Sequence, residues 1–177
     1  MKQSQLQETK VLLTQDQIQK RVRELATEID QDYQNKEVVA LCVLKGSVVF
    51  FVDIIRMMKT PVRCEFLGVA SYGEEKQSSG EVKLTHDVKF PLNGKHVIVF
   101  EDIVDSGVTL HYLLNLLQAR EPASLKVCSL LLKPNSLKRK VKPDYCGFEI
   151  GNEFVVGYGL DYAGWYRDLP YIGVLES

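Results

Sequence analysis

The stretch that decides the fold is Val99-Phe-Glu-Asp-Ile-Val-Asp-Ser-Gly-Val108, followed directly by Thr109 and a helical pattern. It is typical of a short buried strand that ends in two adjacent carboxylates, Glu101 and Asp102, followed by a loop that opens a helix. The first N–H groups of a helix have no intrahelical partner, and the helix dipole adds positive potential there. The stretch therefore predicts a cradle for one phosphate and for the hydroxyls of an attached sugar.

The side chains of this loop suit a phosphate. Ser106 and Thr109 add hydroxyl donors, and Gly107 lets the backbone approach a ligand without a Cβ in the way. The chain contains no G-x-x-x-x-G-K-[ST] loop, and residues 157–162 lack the third glycine and the helix of a dinucleotide fingerprint. ATPase and dehydrogenase functions therefore lose most of their support.

The composition bounds the class of protein. A chain of 177 residues, 45% hydrophobic and 25% charged, fits one globular domain, which we expect to span residues 1–177. Because the net charge is only −1, any anion site must be local. The four cysteines form no C-x-x-C pair, so reduced thiols are favoured over disulfides or zinc. With no signal-peptide pattern and no apolar membrane span, we expect a cytoplasmic protein.

Hydrophobic periodicity predicts strands that alternate with helices. A capping box at Thr14 and Gln17 opens a helix that runs to about Tyr33, and Ser47 is expected to cap a second helix. A third helix follows the phosphate loop over residues 110–119. Strands are predicted over residues 38–43, 62–70, 82–88, 96–100, 125–132, 145–150, 154–156 and 171–175. This order indicates an α/β fold with a mainly parallel sheet covered on both faces and a smaller lobe from the terminal segments.

Polar side chains stand where several of these strands end. Lys45, Glu101, Asp102, Asp105 and Lys133 all fall at carboxyl ends of predicted strands. Ligands collect at that edge of a parallel sheet, so we expect these residues to share a site. The simpler alternatives are a solvated acidic turn at residues 101–102 and a helix cap at residue 105.

Residues 99–109 resemble the phosphoribosyl-pyrophosphate (PRPP) motif of type I phosphoribosyltransferases. Further segments are similar to those of the hypoxanthine-guanine phosphoribosyltransferase family, in the same order: Leu44-Lys45-Gly46-Ser47, Ser71-Tyr72-Gly73, Leu132-Lys133-Pro134, residues 154–162 and residues 165–171. The resemblance covers nearly the whole chain from about Thr14. It implies the type I phosphoribosyltransferase fold, with a small hood lobe from the terminal segments.

The resemblance also implies roles for the residues of the opening stretch. Asp105, Ser106, Gly107 and Thr109 would bind the 5-phosphate, and Glu101 and Asp102 would bind the ribose. Asp105 would in addition be the catalytic general base, which takes a proton from the purine as N9 attacks C1 of the sugar.

Other loops would bind the pyrophosphate and its metal. Lys45 and Gly46 are implied contacts, and Arg167 would add a second one because its guanidinium fork suits phosphate oxygens. The alternative for Arg167 is a surface ion pair with Asp168. The cofactor implied is Mg²⁺, coordinated by Asp161 and held with the help of Glu101 and Asp102.

The purine base would lie against four residues: Lys133, Phe154, Val155 and Asp161. An ammonium group donates hydrogen bonds and accepts none, so Lys133 favours a 6-carbonyl over a 6-amino group. Phe154 would stack on the base, and Val155 would present its backbone. By sequence alone both are ordinary strand residues.

A polar stretch resembles the closing flap of the family. Ser71 and Tyr72 begin this flap, which we expect to be flexible over about residues 71–81. A lid that excludes water would protect a reactive sugar cation from hydrolysis.

The activity implied is magnesium-dependent transfer of phosphoribose from PRPP to hypoxanthine or guanine, giving IMP or GMP and pyrophosphate. The expected partners are these small molecules and other copies of the chain, in a homodimer or homotetramer, without nucleic acid or membrane. Two alternatives stay open: use of xanthine, and a non-catalytic regulator that binds RNA through the basic cluster Lys138, Arg139, Lys140 and Lys142.

Overall fold

The structure, a computed structural model, describes residues 8–71 and 82–175 of the chain. Its helices are α1 (Gln15–Asp32), α2 (Val48–Met57) and α3 (Val108–Gln118). Its strands are β1 (Thr9–Leu13), β2 (Val38–Leu44), β3 (Val62–Ser71), β4 (Val82–His86), β5 (His96–Val104), β6 (Ser124–Leu132), β7 (Tyr145–Glu149), β8 (Val155–Val156) and β9 (Ile172–Leu175). Within the described ranges, a 3₁₀ turn covers Pro134–Ser136.

Six strands form the central sheet, in the order β4-β3-β2-β5-β6-β7. All neighbours in it are parallel except β4, which pairs antiparallel with β3 at the edge. The chain builds the sheet outward from β2 to β3 and then returns to add β5, β6 and β7 on the other side. The order therefore reverses between β2 and β5, which is where ligands bind in open α/β sheets.

Both faces of this sheet are buried, as near-continuous apolar strands require. Along β2, Ala40 and Cys42 face the cluster that contains α1 and α2, whereas Val39, Leu41 and Val43 face the cluster that contains α3. Side chains alternate between faces with a period of two, so each strand supplies both cores. The fold is the expected α/β sheet covered on both sides.

A second, three-stranded antiparallel sheet is formed by β1, β9 and β8. It joins the two ends of the described chain, with Thr9 opposite Leu175. The terminal segments thus form the predicted hood lobe, and Thr9 Oγ1 and the Tyr171 hydroxyl lie 2.9 Å apart within it.

Local sequence signals correctly placed the start of α1. The hydroxyl of Thr14 accepts a hydrogen bond from the Gln17 N–H, and the Gln17 side chain accepts one from the Thr14 N–H, which completes the capping box. The predicted cap at Ser47 is wrong, because its hydroxyl makes no bond to α2 and instead accepts from the Asp102 N–H at 3.0 Å. The side chain fastens the start of α2 to β5.

Strand β5 extends four residues beyond the predicted end at residue 100. Its partner β6 is a long apolar strand, and parallel pairing continues through Ile103 with Leu131 and Val104 with Leu132. Glu101 and Asp102 therefore lie within a strand rather than after it. Pairing with a neighbour that is distant in sequence outweighed the local break in hydrophobicity.

Candidate active site

A cleft of about 400 Å³ opens at the switch point, where β2 and β5 end. Every predicted site residue whose side chain the structure describes lines it: Lys45, Gly46, Glu101, Asp102, Asp105, Ser106, Gly107, Thr109, Lys133, Phe154, Val155, Asp161 and Arg167. Tyr72 and the rest of the predicted flap to residue 81 lie outside the described residues, as does the Ser71 side chain. The volume is in the range of small-molecule sites.

The phosphate loop has the backbone geometry of an anion site. Gly107, the N-cap of α3, has a φ of 73°, in the left-handed region that glycine adopts without strain, and makes no side-chain cap. Ser106 Oγ accepts only a long bond of 3.4 Å from the Val108 N–H. The first N–H groups of α3 are thus available to a ligand, and the alternative of Asp105 as helix cap is wrong.

The segment behind this loop is basic. The Lys138 N–H donates to the Ser106 carbonyl at 2.8 Å, and a Cβ on Gly107 would lie 2.6 Å from Val141 Cγ2. The four cations at 138, 139, 140 and 142 are exposed. They back the phosphate loop, and their positive charge favours an anion there.

Two neighbouring carboxyl groups that line the cleft, those of Glu101 and Asp102, have raised pKa values. Burial, together with repulsion from Asp102, raises the pKa of Glu101 well above its usual range, and only 6% of Glu101 is exposed. Burial likewise raises the pKa of Asp102 to about 6. Within the described residues the Glu101 carboxyl has no hydrogen-bond partner. It is therefore free to bind ligand hydroxyls.

Asp105 and Lys133 form one ion pair of the cleft. Lys133 Nζ donates to Asp105 Oδ2 at 2.8 Å, and the Lys133 side chain is 7% exposed whereas that of Asp105 is 50% exposed. The lysine stem is held by the core, while the carboxylate faces the open cleft. Two of the three ammonium protons remain for a ligand acceptor.

Arg167 and Asp161 form a second ion pair that lines the cleft. The guanidinium donates to the Asp161 carboxylate and to the Gly159 carbonyl, and the Gly164 N–H donates to the other Asp161 oxygen at 2.8 Å. Arg167 is thus paired with Asp161, and its suggested surface pair with Asp168 is wrong. Asp161 lies only six residues before Arg167, but the sequence does not show that the loop turns back to bring the two side chains together.

The loop between β2 and α2 approaches the carboxylates closely. The peptide bond between Leu44 and Lys45 is cis. A Cβ on Gly46 would lie 1.6 Å from Asp102 Oδ2, so the residue must be glycine for the carboxylate to sit where it does. Lys45 itself is exposed at the cleft rim, where its ammonium can reach an anion.

Apolar side chains line another part of the cleft. Phe154 is exposed and packs edge-on against Tyr162, with ring centroids 5.7 Å apart, whereas Val155 is buried in β8. Sequence reasoning missed Ile103 and Leu160, which also line the cleft. Ile103 lies between two residues that the motif singles out, so its place in the strand could have suggested it.

The carboxylates of the cleft fit a magnesium ion whose coordination is completed by oxygens of a bound substrate. Among the described residues, no group of three or more His, Cys, Asp or Glu side chains is arranged to hold a metal alone. Mg²⁺ is usually bound by one or two carboxylates together with phosphate oxygens and water, so Asp161, Glu101 and Asp102 suit it once an anionic ligand is present.

Two further expectations concern the rest of the chain. All four cysteines are free thiols, with Cys42 and Cys128 buried. None of the three helices in the described ranges combines the length and the hydropathy that a bilayer span requires.

Comparisons with known proteins agree with this geometry. The family model of the phosphoribosyl transferase domain matches residues 9–163. The hypoxanthine-guanine phosphoribosyltransferase of Bacillus subtilis (strain 168) is 46% identical over 167 residues, which are 94% of this chain and 93% of that protein. The enzyme of the same name from Mycobacterium tuberculosis (strain ATCC 25618 / H37Rv) is 45% identical over 172 residues, 94% of this chain and 85% of that protein. The crystal structure of the Bacillus anthracis hypoxanthine-guanine phosphoribosyltransferase with HEPES in its active site superposes with a TM-score of 0.91, at 44% identity, covering 96% of this chain and 100% of that one.

Proposed function

Because the chain belongs to the hypoxanthine-guanine phosphoribosyltransferase family, we propose that it transfers the 5-phosphoribosyl group from PRPP to N9 of hypoxanthine or guanine. The products are IMP or GMP and pyrophosphate, as in purine salvage. One observation carries the proposal: the cleft places a carboxylate and an ammonium, Asp105 and Lys133, beside the open amino end of α3. Residues 1–177 form a single domain, core plus hood, in this proposal.

Lys133 selects the base. One N–H of the Lys133 ammonium donates to Asp105. The other two N–H donors are therefore available for the 6-carbonyl of hypoxanthine or guanine. The 6-amino group of adenine donates rather than accepts, so it would leave the other two N–H groups of the buried ammonium without an acceptor. Phe154 stacks on the base, and Val155 and Asp161 complete the subsite.

Asp105 manages the proton. The bond from C1 of the sugar to the pyrophosphate oxygen breaks, the bond from N9 to C1 forms, and the ring proton of the purine passes to the Asp105 carboxylate. The half-exposed carboxylate of Asp105 lines the cleft, where the purine can reach it, and Lys133 Nζ donates to its Oδ2 and holds it in place.

The remaining residues hold PRPP. Ser106, Gly107 and Thr109 bind the 5-phosphate with the α3 N–H groups, and the neighbouring carboxyls of Glu101 and Asp102 bind the ribose hydroxyls. Lys45, Gly46 and Arg167 bind the pyrophosphate. Asp161, with Glu101 and Asp102 nearby, would hold a magnesium ion, and that ion would supply charge neutralisation for the leaving pyrophosphate.

Three finer expectations belong to the same proposal. The flap that the family resemblance implies for residues 71–81, with Ser71 and Tyr72, would exclude water during transfer. The protein works in the cytoplasm on small-molecule substrates. It assembles as a homodimer or homotetramer, a proposal supported by exposed apolar side chains such as Val52 and Phe66.

A steady-state assay tests the proposal. The purified protein is mixed with PRPP, Mg²⁺ and, in separate reactions, hypoxanthine, guanine, xanthine or adenine. We expect IMP or GMP to form with release of pyrophosphate and no transfer to adenine. Preferential use of adenine would contradict the role of Lys133, and no transfer to any purine would contradict the activity.

A further inference from the structure

Tyr158 lies in an unusual turn beside the cleft. Three successive residues have positive φ: Gly157 at 97°, Tyr158 at 50° and Gly159 at 100°. A bulky residue in the left-handed region is uncommon, and this tyrosine is only 3% exposed. A Cβ on Gly159 would lie 2.1 Å from the carbonyl oxygen of Gly46. The turn is therefore in direct contact with the loop that precedes α2.

The Tyr158 side chain anchors this turn to the helical layer. Its hydroxyl donates to Asp53 Oδ2 on α2 at 2.6 Å, and Gln19 Nε2 on α1 donates to the same oxygen at 2.8 Å. Burial, together with the bond to Asp53, raises the pKa of Tyr158, so its hydroxyl stays protonated and keeps donating at neutral pH. Neither Tyr158 nor Asp53 lines the cleft.

This hydrogen bond joins the two segments that carry the proposed pyrophosphate contacts. α2 begins immediately after the loop of Lys45 and Gly46. The turn at 157–159 is bonded to the segment of Arg167, since the Tyr158 N–H donates to the Leu169 carbonyl at 2.8 Å and the Gly159 N–H to the Arg167 carbonyl at 3.0 Å. The contact between Tyr158 and Asp53 therefore connects the two loops, in addition to the close approach of Gly159 to the Gly46 carbonyl.

We propose that Tyr158 and Asp53 are positioning residues, which set the spacing between the Lys45–Gly46 loop and the Asp161–Arg167 loop so that both contact one pyrophosphate group. The inference rests on the proposed function. Pyrophosphate is a small anion with its charge concentrated on a few oxygens. Cationic side chains displaced by even about 1 Å therefore lose much of their binding energy for it. Neither residue touches the substrate in this arrangement.

Three substitutions test the inference. In Tyr158→Phe the hydroxyl is lost, and we expect the KM for PRPP and the Kd for magnesium pyrophosphate to rise about tenfold, with the KM for hypoxanthine unchanged. Asp53→Ala should have the same effect, whereas Asp53→Asn keeps an oxygen acceptor and should restore most of the affinity. The double variant Tyr158→Phe/Asp53→Ala should be no worse than either single variant. Binding of inorganic pyrophosphate with Mg²⁺ is measured by calorimetry, independently of turnover.

The chain contains a matched control. Tyr145, at the start of β7, is 5% exposed and donates to Asp32 Oδ2 at the same distance of 2.6 Å, at the edge of the sheet opposite the cleft. Tyr145→Phe removes a hydrogen bond of the same kind, from a buried tyrosine to a carboxylate, and both bonds are partly buried. We expect it to lower the thermal stability comparably and to leave pyrophosphate binding unchanged.

The inference is overturned if Tyr158→Phe loses stability as Tyr145→Phe does but binds pyrophosphate and PRPP as the wild type does. It is also overturned if the wild-type protein does not bind pyrophosphate. Failure of the proposed function looks different: the wild type would transfer nothing to hypoxanthine or guanine, while calorimetry with pyrophosphate would still separate Tyr158→Phe from its control.

Discussion

In the proposed function, Asp105 and Lys133 form one ion pair but have separate roles. Their side chains meet at 2.8 Å, yet the lysine is buried and the carboxylate is half exposed. In the proposed function, the buried ammonium selects the base and the half-exposed carboxylate accepts the proton. Each half of this division can be tested by one substitution.

Asp105→Asn tests the proton transfer. The amide keeps an oxygen that can accept from Lys133 but cannot take a proton at neutral pH. We expect kcat to fall by about 100-fold or more, the range typical of general-base catalysis, with little change in the affinity for PRPP. Steady-state rates and PRPP binding by calorimetry provide the measurement. A variant that turns over at the wild-type rate would remove Asp105 from the general-base role.

Lys133→Gln tests base selection. The amide oxygen of glutamine can accept from a 6-amino group, so discrimination against adenine should weaken. We expect kcat/KM for hypoxanthine to fall about tenfold or more, because a hydrogen bond to a charged group is worth about 1.5–3 kcal/mol. The ratio of kcat/KM values for hypoxanthine and adenine is the readout.

Lys126→Gln is the control for that substitution. Lys126, in the first half of β6, pairs with Asp32 at the same 2.8 Å but at the opposite edge of the sheet. Its replacement should leave both kcat/KM values unchanged. An equal loss of hypoxanthine use in the two variants would mean that Lys133 acts through stability rather than recognition.

At the scale of secondary-structure elements, α1 is a helix whose start is stabilised by its own local sequence. Its start is fixed by the capping box of Thr14 and Gln17. Thr14→Ala should lower the free energy of unfolding by about 1 kcal/mol, the usual loss for an N-cap, without changing kcat. Denaturant titration measures it.

Thr27→Ala on the same helix provides the comparison. Thr27 is exposed, and its hydroxyl donates only to the Arg23 carbonyl within the helix. Such a bond contributes little, and alanine favours the helix, so stability should change little. A loss equal to that of Thr14→Ala would contradict the capping argument.

Elements were predictable where their own residues suffice. β2 was found because it is apolar throughout, and β6 because most of its residues are apolar, as is typical of strands buried on both faces. β1 was not predicted, because three of its five residues are exposed and its strand conformation depends on pairing with β9 at the other end of the chain. The Ser47 cap failed for the same reason, since its hydroxyl found a partner on β5.

At the scale of the whole molecule, the buried carboxyls make stability depend on pH. Burial raises the pKa of Asp102 to about 6, whereas an unfolded aspartate titrates near about 3.9. Between these values the folded chain holds a proton that the unfolded chain has released, so the free energy of unfolding falls as pH rises. Above the folded pKa this loss is complete.

Asp102→Asn removes this titration. We expect the variant, without ligand, to gain stability relative to the wild type as pH rises from about 4 to about 6, and the difference to level off above that. The lost repulsion on Glu101 acts in the same direction. Denaturant titrations across the pH range measure the difference, and a constant difference would show that Asp102 titrates normally.

The sequence by itself determined the phosphate loop, the alternation of strands and helices, and the residue types at the carboxyl ends of the strands. These depend on contiguous residues, whose steric limits and backbone hydrogen bonds act within a few positions. Only the tertiary structure decided which residues became partners. Lys133 meets Asp105 across 28 residues and Tyr158 meets Asp53 across 105. Such pairs depend on which strands lie side by side in the sheet, as β2, β5 and β6 do. A local sequence pattern does not specify partners so far apart in the chain.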